Sequence, residues 1–581
     1  MLARLGSLAR IGARIGAEVG TTRSASSNTS PASPLRRRLL WSLGIGSAAS
    51  LLVVQPSRED LMVAYLTPVR LARDVACAAS IVADYYTSLR PDLQGEAREA
   101  ALRGCHQRGA QRLLQLCFAN GGIYTKLGQH VGQLDHLLPE EYVSTMREHL
   151  LDRCPVSPPE EVRRIFLQDL GAPPEALFAS FSERPIASAS LAQVHEAVDH
   201  SGRRLAVKVQ HAGLRESCAA DVATVAALVA TVRWIFPSFD YGWLVDEIRE
   251  NLPRELNFLH EAANAERCRA NLEASARGGA KWARQVHVPS IEYRTTTTRI
   301  LTMEFIDGAG VTDRAALSRL GVSPRQVSLL VAEAFNDMIF RTGYVHCDPH
   351  AANMLVRRAP NGAAQLVLLD HGLYKEITDS FRLEYAGLWR SLIFADADGI
   401  RRHSAAMNAG DAYDVFACIL TQRPWEQIVD TRSDTSRLAI ERSPETRAAA
   451  AEFMAQYGRE INDLLARMPR PLLLLLKTND CLRSVDHALG NPVNTFAITA
   501  RECGAALRRE QLRHHPGPLV RLGIAWERVQ VEARMMALSL LMWYGRMQAV
   551  LGWNRGADAS GETTAGVGSS TAPHTAEVAA A

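Results

Sequence analysis

The chain is 581 residues long, too long for a single core, so two or more packed units are expected. Apolar residues make up 47% and charged residues 22%, the ordinary balance of a folded globular protein. With 65 basic against 62 acidic residues the net charge is only +3, which argues against the basic stripe of a nucleic-acid binder, and no nucleic-acid partner is expected. The ten cysteines are scattered from Cys77 to Cys503 without a C-x-x-C pair or zinc-like spacing. They read as reduced, mostly buried thiols, and Cys347 as a small packing residue.

Residues 1–58 carry eight arginines (4, 10, 14, 23, 36, 37, 38 and 58) and one acid, Glu18. Leu5, Leu8, Ile11 and Ile15 fall on one helical face, so 1–30 reads as a mitochondrial transit-like segment, with a disordered basic tail as the competing reading. Arg36, Arg37 and Arg38 precede an uncharged run, Leu39 to Val54. That run is slightly short of the ~20 residues that span a bilayer. With the arginines and Trp41 at one interface, 36–56 is expected to anchor the chain as a single pass in the inner membrane, against a buried core helix as the alternative. Residues 59–180 are expected to form a helical extension.

Between 181 and 310 the pattern changes to short β-rich runs. A small-residue loop, Ala187-Ser188-Ala189-Ser190, leads into a strand from Gln193 to Val198. The turn-like His200-Ser201-Gly202 follows, then the run Leu205 to Gln210 with Lys208 inside it. A lone strand lysine usually points to solvent. Loop, strand, turn and strand with lysine, in that order, is how kinases cover ATP and pair its phosphates.

The segment Tyr344 to Val356 places Asp348 and Asn353 five apart, with His346 two before the aspartate, as in the kinase catalytic loop H-R-D-x-x-x-x-N. Met354–Val356, Pro360-Asn361-Gly362 and Gln365–Leu369 read as a hairpin that delivers Asp370-His371-Gly372. One aspartate must sit near the attacking oxygen, while an asparagine and a second aspartate hold Mg²⁺ against the phosphates; a rigid hairpin fixes their separation. A metal-hydrolase reading of His346-x-Asp348-x-His350 leaves Asn353, the hairpin, Asp370 and Lys208 unexplained.

Helical sequence resumes at about Thr378, which leaves no long activation segment and no A-P-E end, hence no platform for a peptide substrate. Residues 311–554 read as a largely helical lobe, the apolar stretch Met535–Trp553 as a core helix, and 555–581 as a disordered tail.

These residues resemble the UbiB family of atypical kinases, also called aarF-domain-containing kinases, over about Gly122 to Pro492. Lys126-Leu127-Gly128-Gln129 is similar to the family's K-x-G-Q motif, which folds over the active site. Ala187–Ser190 is similar to its Ala-rich loop, and Glu255-Leu256-Asn257 to its E-x-D motif. Glu261 resembles the helix glutamate that pairs with the strand lysine, here Lys208. Met303–Gly308, with Glu304, resembles the hinge, and Lys477–Arg483 the C-terminal helical signature. Asn257 for aspartate, which puts metal affinity there in doubt, His371 for phenylalanine and the altered run His130–His136 are departures; with the N-terminus they resemble the mitochondrial branch named for kinase 5.

The resemblance implies an α+β, two-lobed kinase-like fold with ATP and Mg²⁺ as cofactors. Asp348, Lys208 and Glu261 are then catalytic, Asn353 and Asp370 metal ligands, Ala187 to Ser190, Lys208 and Glu304 the ATP contacts, and Lys126, Gly128, Gln129, Glu255 and Asn257 regulatory. It further implies a membrane lipid or lipid-like partner, mitochondrial membrane proteins as partners, and a role in lipid or coenzyme Q homeostasis. An ATPase or small-molecule kinase leads; a Ser/Thr protein kinase and a nucleotide-sensing pseudokinase are the alternatives.

Overall fold

The computed structural model describes residues 58–90, 92–132, 138–150, 156–235, 242–421, 425–429, 468–514 and parts of 517–540. The transit-like segment 1–30, the run Leu39 to Val54 and the tail 555–581 lie outside the described residues. The described residues from Val63 onward belong to one compact unit.

Helices open the described chain: α1 (Arg58–Ser88), α2 (Gly95–Asn120), α3 (Ile123–Val131), α4 (Glu140–Leu150) and α5 (Pro159–Leu170). The sequence marks both ends of α5. Proline stands in its first turn with Glu160 and Glu161, and Gly171 closes it in the left-handed region at φ 72°.

One side of α3 packs through Tyr124 and Val131 against Leu114, Cys117, Met146 and Leu150 of α2 and α4. The approach is close. A Cβ at Gly128 would stand 2.2 Å from Leu150 Cδ1, and one at Gly132 would stand 2.9 Å from the backbone nitrogen of Arg147. Backbone cannot swing aside as a side chain can. Gly132→Ala is therefore expected to cost about 1–3 kcal/mol as an overpacked contact. Denaturant unfolding of the full chain reads this, and wild-type stability would mean that α3 and α4 have room to spare.

The small lobe is an antiparallel five-stranded sheet. Its strands are β1 (Ser180–Phe181), β2 (Ala187–Ser188), β3 (Ala192–Val198), β4 (Arg204–Gln210) and β6 (Ile300–Glu304), in the order β1-β3-β4-β6 with β2 beside β3. Alternation decides which way β4 faces. Leu205, Val207 and Val209 pack with Ile300 onto Val162, Ile165 and Phe166 of α5. Lys208 must then project from the opposite face.

Helices α6 (Leu214–Ile235), α7 (Gly242–Glu255) and α8 (Phe258–Arg277) follow β4. Leu191, Leu214, Leu252 and Leu256 receive Ile123, the other side of α3.

The large lobe holds a second sheet in the order β5-β10-β9-β7, built from β5 (Val286–His287), β7 (Ala309–Gly310), β9 (Met354–Arg358) and β10 (Ala364–Leu368). It also holds the pair β8 (Tyr344–His346) and β11 (Tyr374–Glu376). Behind them lie α9 (Pro324–Asp337), which starts with a Ser323/Gln326 capping box, α10 (Asp379–Phe394), α11 (Ala397–Ala406), α12 (Tyr413–Thr421), α13 (Arg470–Ala488) and α14 (Thr495–His514). Their core centres on Phe340, Tyr385, Leu388, Phe416, Leu472 and Leu475. The fold is the two-lobed, atypical kinase-like α+β arrangement.

Two expectations are corrected. Among the described residues no helix is long and apolar enough to cross a membrane, which overturns the single-pass inner-membrane anchor; the run Leu39 to Val54 itself lies outside them. The long helices are charged within their length. In α1, Asp74 is buried and accepts hydrogen bonds from Asn120 Nδ2 (3.0 Å) and Tyr124 Oη (2.6 Å), while Arg70 reaches Asp221. The stretch Met535–Trp553 was expected in the core, yet its described members Met536 and Leu540 are 66% and 60% exposed.

Candidate active site

Three elements bring charged side chains to the cleft face of β4. Lys208 donates to Glu261 Oε1 and Oε2 at 2.8 and 3.0 Å and to Asp370 Oδ2 at 3.1 Å. Glu261 is carried by α8, whose buried face also holds Ala262, Ala265 and Cys268. Burial opposes the charge on Lys208, but the carboxylates of Asp370 and Glu261 outweigh it and hold the ammonium above the usual lysine range. Burial also pushes Glu261 up against the pull of Lys208. Two short Nζ–oxygen distances, 2.8 and 3.0 Å, make the pair a direct contact.

Asp370 reaches this point through the hairpin. Met354 pairs with Leu368, and the Leu369 N–H donates to Asn353 O, so the two loop ends lie side by side. Burial would raise the Asp370 carboxyl, yet Lys208, the Gly372 N–H at 2.9 Å and Lys126 hold it well below the usual carboxylate range.

His371 takes the aromatic place between the aspartate and glycine as a hydrogen-bonded group. Its Nδ1 lies 2.9 Å from Tyr374 Oη and its Nε2 3.1 Å from Leu368 O. Burial, with His346 nearby, lowers its pKa to about 3, so it is neutral at physiological pH.

The loop before Asn353 is held from several sides. The Asp348 N–H donates to His346 Nδ1 (3.2 Å), and Asn353 Nδ2 donates to Asp348 O (3.0 Å). Asp348 Oδ1 lies 3.0 Å from Lys477 Nζ of α13, and His350 Nε2 stands 3.8 Å from Asp348 Oδ2.

A three-ligand metal reading of His346, Asp348 and His350 does not fit. His346 is buried, stacks on Tyr374, spends Nδ1 on its own loop and is lowered by burial to about 4. Among the described residues no group of three His, Cys, Asp or Glu side chains is placed to hold a metal. The oxygen set of Asp370 and Asn353 does suit a hard cation such as Mg²⁺: the carboxylate is ionised, and spending Nδ2 on Asp348 O leaves Asn353 its carbonyl oxygen.

The extension reaches the same place. Lys126 Nζ lies 2.8 Å from Glu255 Oε2. Burial disfavours its charge, but Glu255, then Asp348 and Asp370, raise its pKa above the usual range, so it lies within the field of both aspartates. Gln129 turns the other way and donates to Leu150 O at 2.9 Å. Asn257 caps α8, its side-chain oxygen accepting from the Leu259 N–H at 3.2 Å. In this contact the oxygen serves the helix end.

At the lobe junction, Glu304 turns its side chain to His287 (2.8 Å) and Arg357 (3.3 Å), the first of which draws its pKa down to about 2. The Ala187–Ser190 loop folds back on β3, and His211 Nε2 lies 3.0 Å from Ala189 O while its Nδ1 lies 2.8 Å from Ser157 Oγ. Sequence reasoning singled out neither His211 nor any role for Lys477. A lysine closing a leucine run on a buried helix was the available signal for the second.

A family model described as an ABC1 atypical kinase-like domain matches residues 149–404. An ABC1 protein of Arabidopsis thaliana is 46% identical over 488 residues, covering 82% of this chain and 90% of its own. AarF domain-containing protein kinase 1 of Mus musculus is 40% identical over 507 residues, covering 84% and 93%. A Dictyostelium discoideum relative whose name classes it with the serine/threonine-protein kinases is 34% identical over 479 residues, covering 82% and 66%. The numbered names among these carry 1 and not the 5 of the expected branch.

Proposed function

Since this chain belongs to the ABC1/AarF family of atypical kinase-like proteins, we propose that it binds ATP with Mg²⁺ between its lobes and transfers the terminal phosphoryl group to water or to a small, lipid-like acceptor. The observation that carries this is Lys208 bracketed by Glu261 and Asp370 within 3.1 Å.

In this reading Glu261 orients Lys208 toward the phosphates, and the Ala187–Ser190 loop lies over them. Glu304 would meet the adenine through its carbonyl oxygen, since its N–H bonds Ser290 O and its side chain is turned to His287 and Arg357. Asp370 and Asn353 would hold Mg²⁺, which when bound neutralises charge on the phosphate oxygens. Asp348 takes up the proton of the attacking hydroxyl or water as the new O–P bond forms and the bond to the ADP oxygen breaks.

Two features favour a small acceptor. Only Ile377 separates β11 from Thr378, the N-cap of α10, so no chain is left to seat a peptide. Lys126, paired with Glu255, also lies near enough to Asp348 and Asp370 for their charges to raise its pKa. The name of the Dictyostelium relative favours the second reading, a Ser/Thr protein kinase. The coenzyme Q or lipid connection rests on the resemblance alone.

Labelled ATP given to the purified full chain, with water only, with phospholipid vesicles, or with a general protein substrate, separates these outcomes. Phosphate release that rises with vesicles supports the proposal; label entering the added protein supports the second reading; no consumption of ATP in any arm contradicts both.

Lys126→Ala has a double expected outcome. Glu255 is buried, so removing its partner costs about 3 kcal/mol. Self-phosphorylation should rise, because the cation no longer stands before the aspartates. A folded variant with unchanged self-phosphorylation would leave Lys126 a structural role only.

A further inference from the structure

We propose that Lys477 is a positioning residue for phosphoryl transfer, fixing the carboxylate of Asp348 from behind the loop. The inference rests on the reading of Asp348 as the acceptor of the nucleophile's proton.

Lys477 follows five leucines, Leu472 to Leu476, on α13. It shares a face with Leu474 three residues before it and Cys481 four after, both buried, so its side chain points into the lobe. A lysine there would ordinarily carry its charge out to water along its methylene stem. This one does not: its side chain is 8% exposed, its partner's 9%, and Nζ stands 3.0 Å from Asp348 Oδ1. A buried charge persists where it is paired, and the pair links residues 129 apart in sequence.

The position of the contact carries the argument. His346 Nδ1 and Asn353 Nδ2 hold the backbone N–H and C=O of Asp348. Those bonds place the Cα and leave the side-chain torsions to be set by something else. Lys477 contributes to setting them as an ion-pair partner 3.0 Å from Oδ1, outside hydrogen-bond geometry, and leaves Oδ2, 3.8 Å from His350 Nε2, for the nucleophile. As the nucleophile's oxygen bonds to the terminal phosphorus and the bond to ADP breaks, its proton passes to Oδ2. Lys477 touches neither nucleotide nor acceptor in this scheme and acts only through Asp348.

Steady-state phosphate release by full-length variants tests this, with turnover counted per nucleotide-binding site. Lys477→Met is expected to lower kcat about 10²-fold, in the range of a misplaced proton acceptor, with KM for ATP within about 2-fold. Lys477→Arg should recover most of kcat. In an Asp348→Asn background Lys477→Met should cost nothing further, since the group it serves is gone. If the methionine variant does not fold, Lys477→Gln replaces it, with the same expected fall.

Wild-type kcat in the Lys477 variant, or an equal further loss in the Asp348→Asn background, overturns the inference and leaves Lys477 a packing role. If Asp348→Asn itself turns over ATP at the wild-type rate, the reading of Asp348 fails instead, and the two failures are distinguishable.

Discussion

Asp370→Asn is expected to lower ATP turnover by about 10³-fold or more, the scale of losing a principal electrostatic partner of the transferred group. The substitution is a sharp one because it removes charge and little else. An asparagine oxygen can still accept the Gly372 N–H now held at 2.9 Å, so the turn at Asp370-His371-Gly372 is retained. His371 keeps its contacts with Tyr374 and Leu368, and Asn264 Nδ2 still reaches His371 O at 2.9 Å. What disappears is the anion that faces Lys208 and would ligate Mg²⁺. Phosphate release measured beside a melting curve reads both parts. A folded variant with the wild-type rate would show that Asp370 is not in the reaction path.

Lys208→Met is expected to reduce turnover by about 10²–10³-fold and to destabilise the chain as well. Here the lost cation has two partners, Glu261, which is 3% exposed, and Asp370. Breaking a buried pair costs about 3–5 kcal/mol where the remaining charge stays ionised. Burial already pushes the Glu261 carboxyl up, and without Lys208 only the long His371 N–H bond at 3.5 Å opposes that push. The folded variant then binds more protons than the unfolded chain, so its stability falls as pH rises through the raised pKa of Glu261 and is best preserved below the ordinary carboxylate range. Thermal melts of Lys208→Met between acidic and neutral pH should show a deficit against the wild type that widens with pH. A deficit independent of pH would mean that Glu261 stays ionised in the variant.

Much of this site was legible in the sequence because its parts are local. The five-residue spacing of Asp348 and Asn353, and the hairpin between Asn353 and Asp370, are short-range patterns that fix relative position. The structure places them accordingly, with Asn353 O and Leu369 N–H bonded at 2.9 Å. Strand alternation in β4 likewise determines that Lys208 faces away from α5. Among partners far apart in the chain, the Lys208–Glu261 pair was legible only through the family resemblance, and others were not legible at all. The Lys477–Asp348 pair is invisible to any local pattern, and so is the bond between His211 and the Ala189 carbonyl.

Residue type alone also leaves open which of two uses a side chain has. Asn257, read as a regulatory residue, caps α8, since amide and carboxylate oxygens both serve that purpose. Gln129 sits one turn from Lys126 yet faces Leu150, because α3 lies between the cleft and α4 and its residues divide between the two sides. His371 looks like a drifted phenylalanine; with a bond at each ring nitrogen it ties Tyr374 to the turn at Leu368, which a phenyl ring cannot do.

The central claim is that the Lys208–Glu261–Asp370 constellation is an ATP site completed by Mg²⁺. Titrating the purified full chain with ATP, with and without Mg²⁺, tests this most directly. The account predicts saturable one-to-one binding that needs the cation and is weakened at least about tenfold, or 1.4 kcal/mol, in Asp370→Asn. Binding of equal strength without Mg²⁺ and in that variant, or no binding at all, would contradict it.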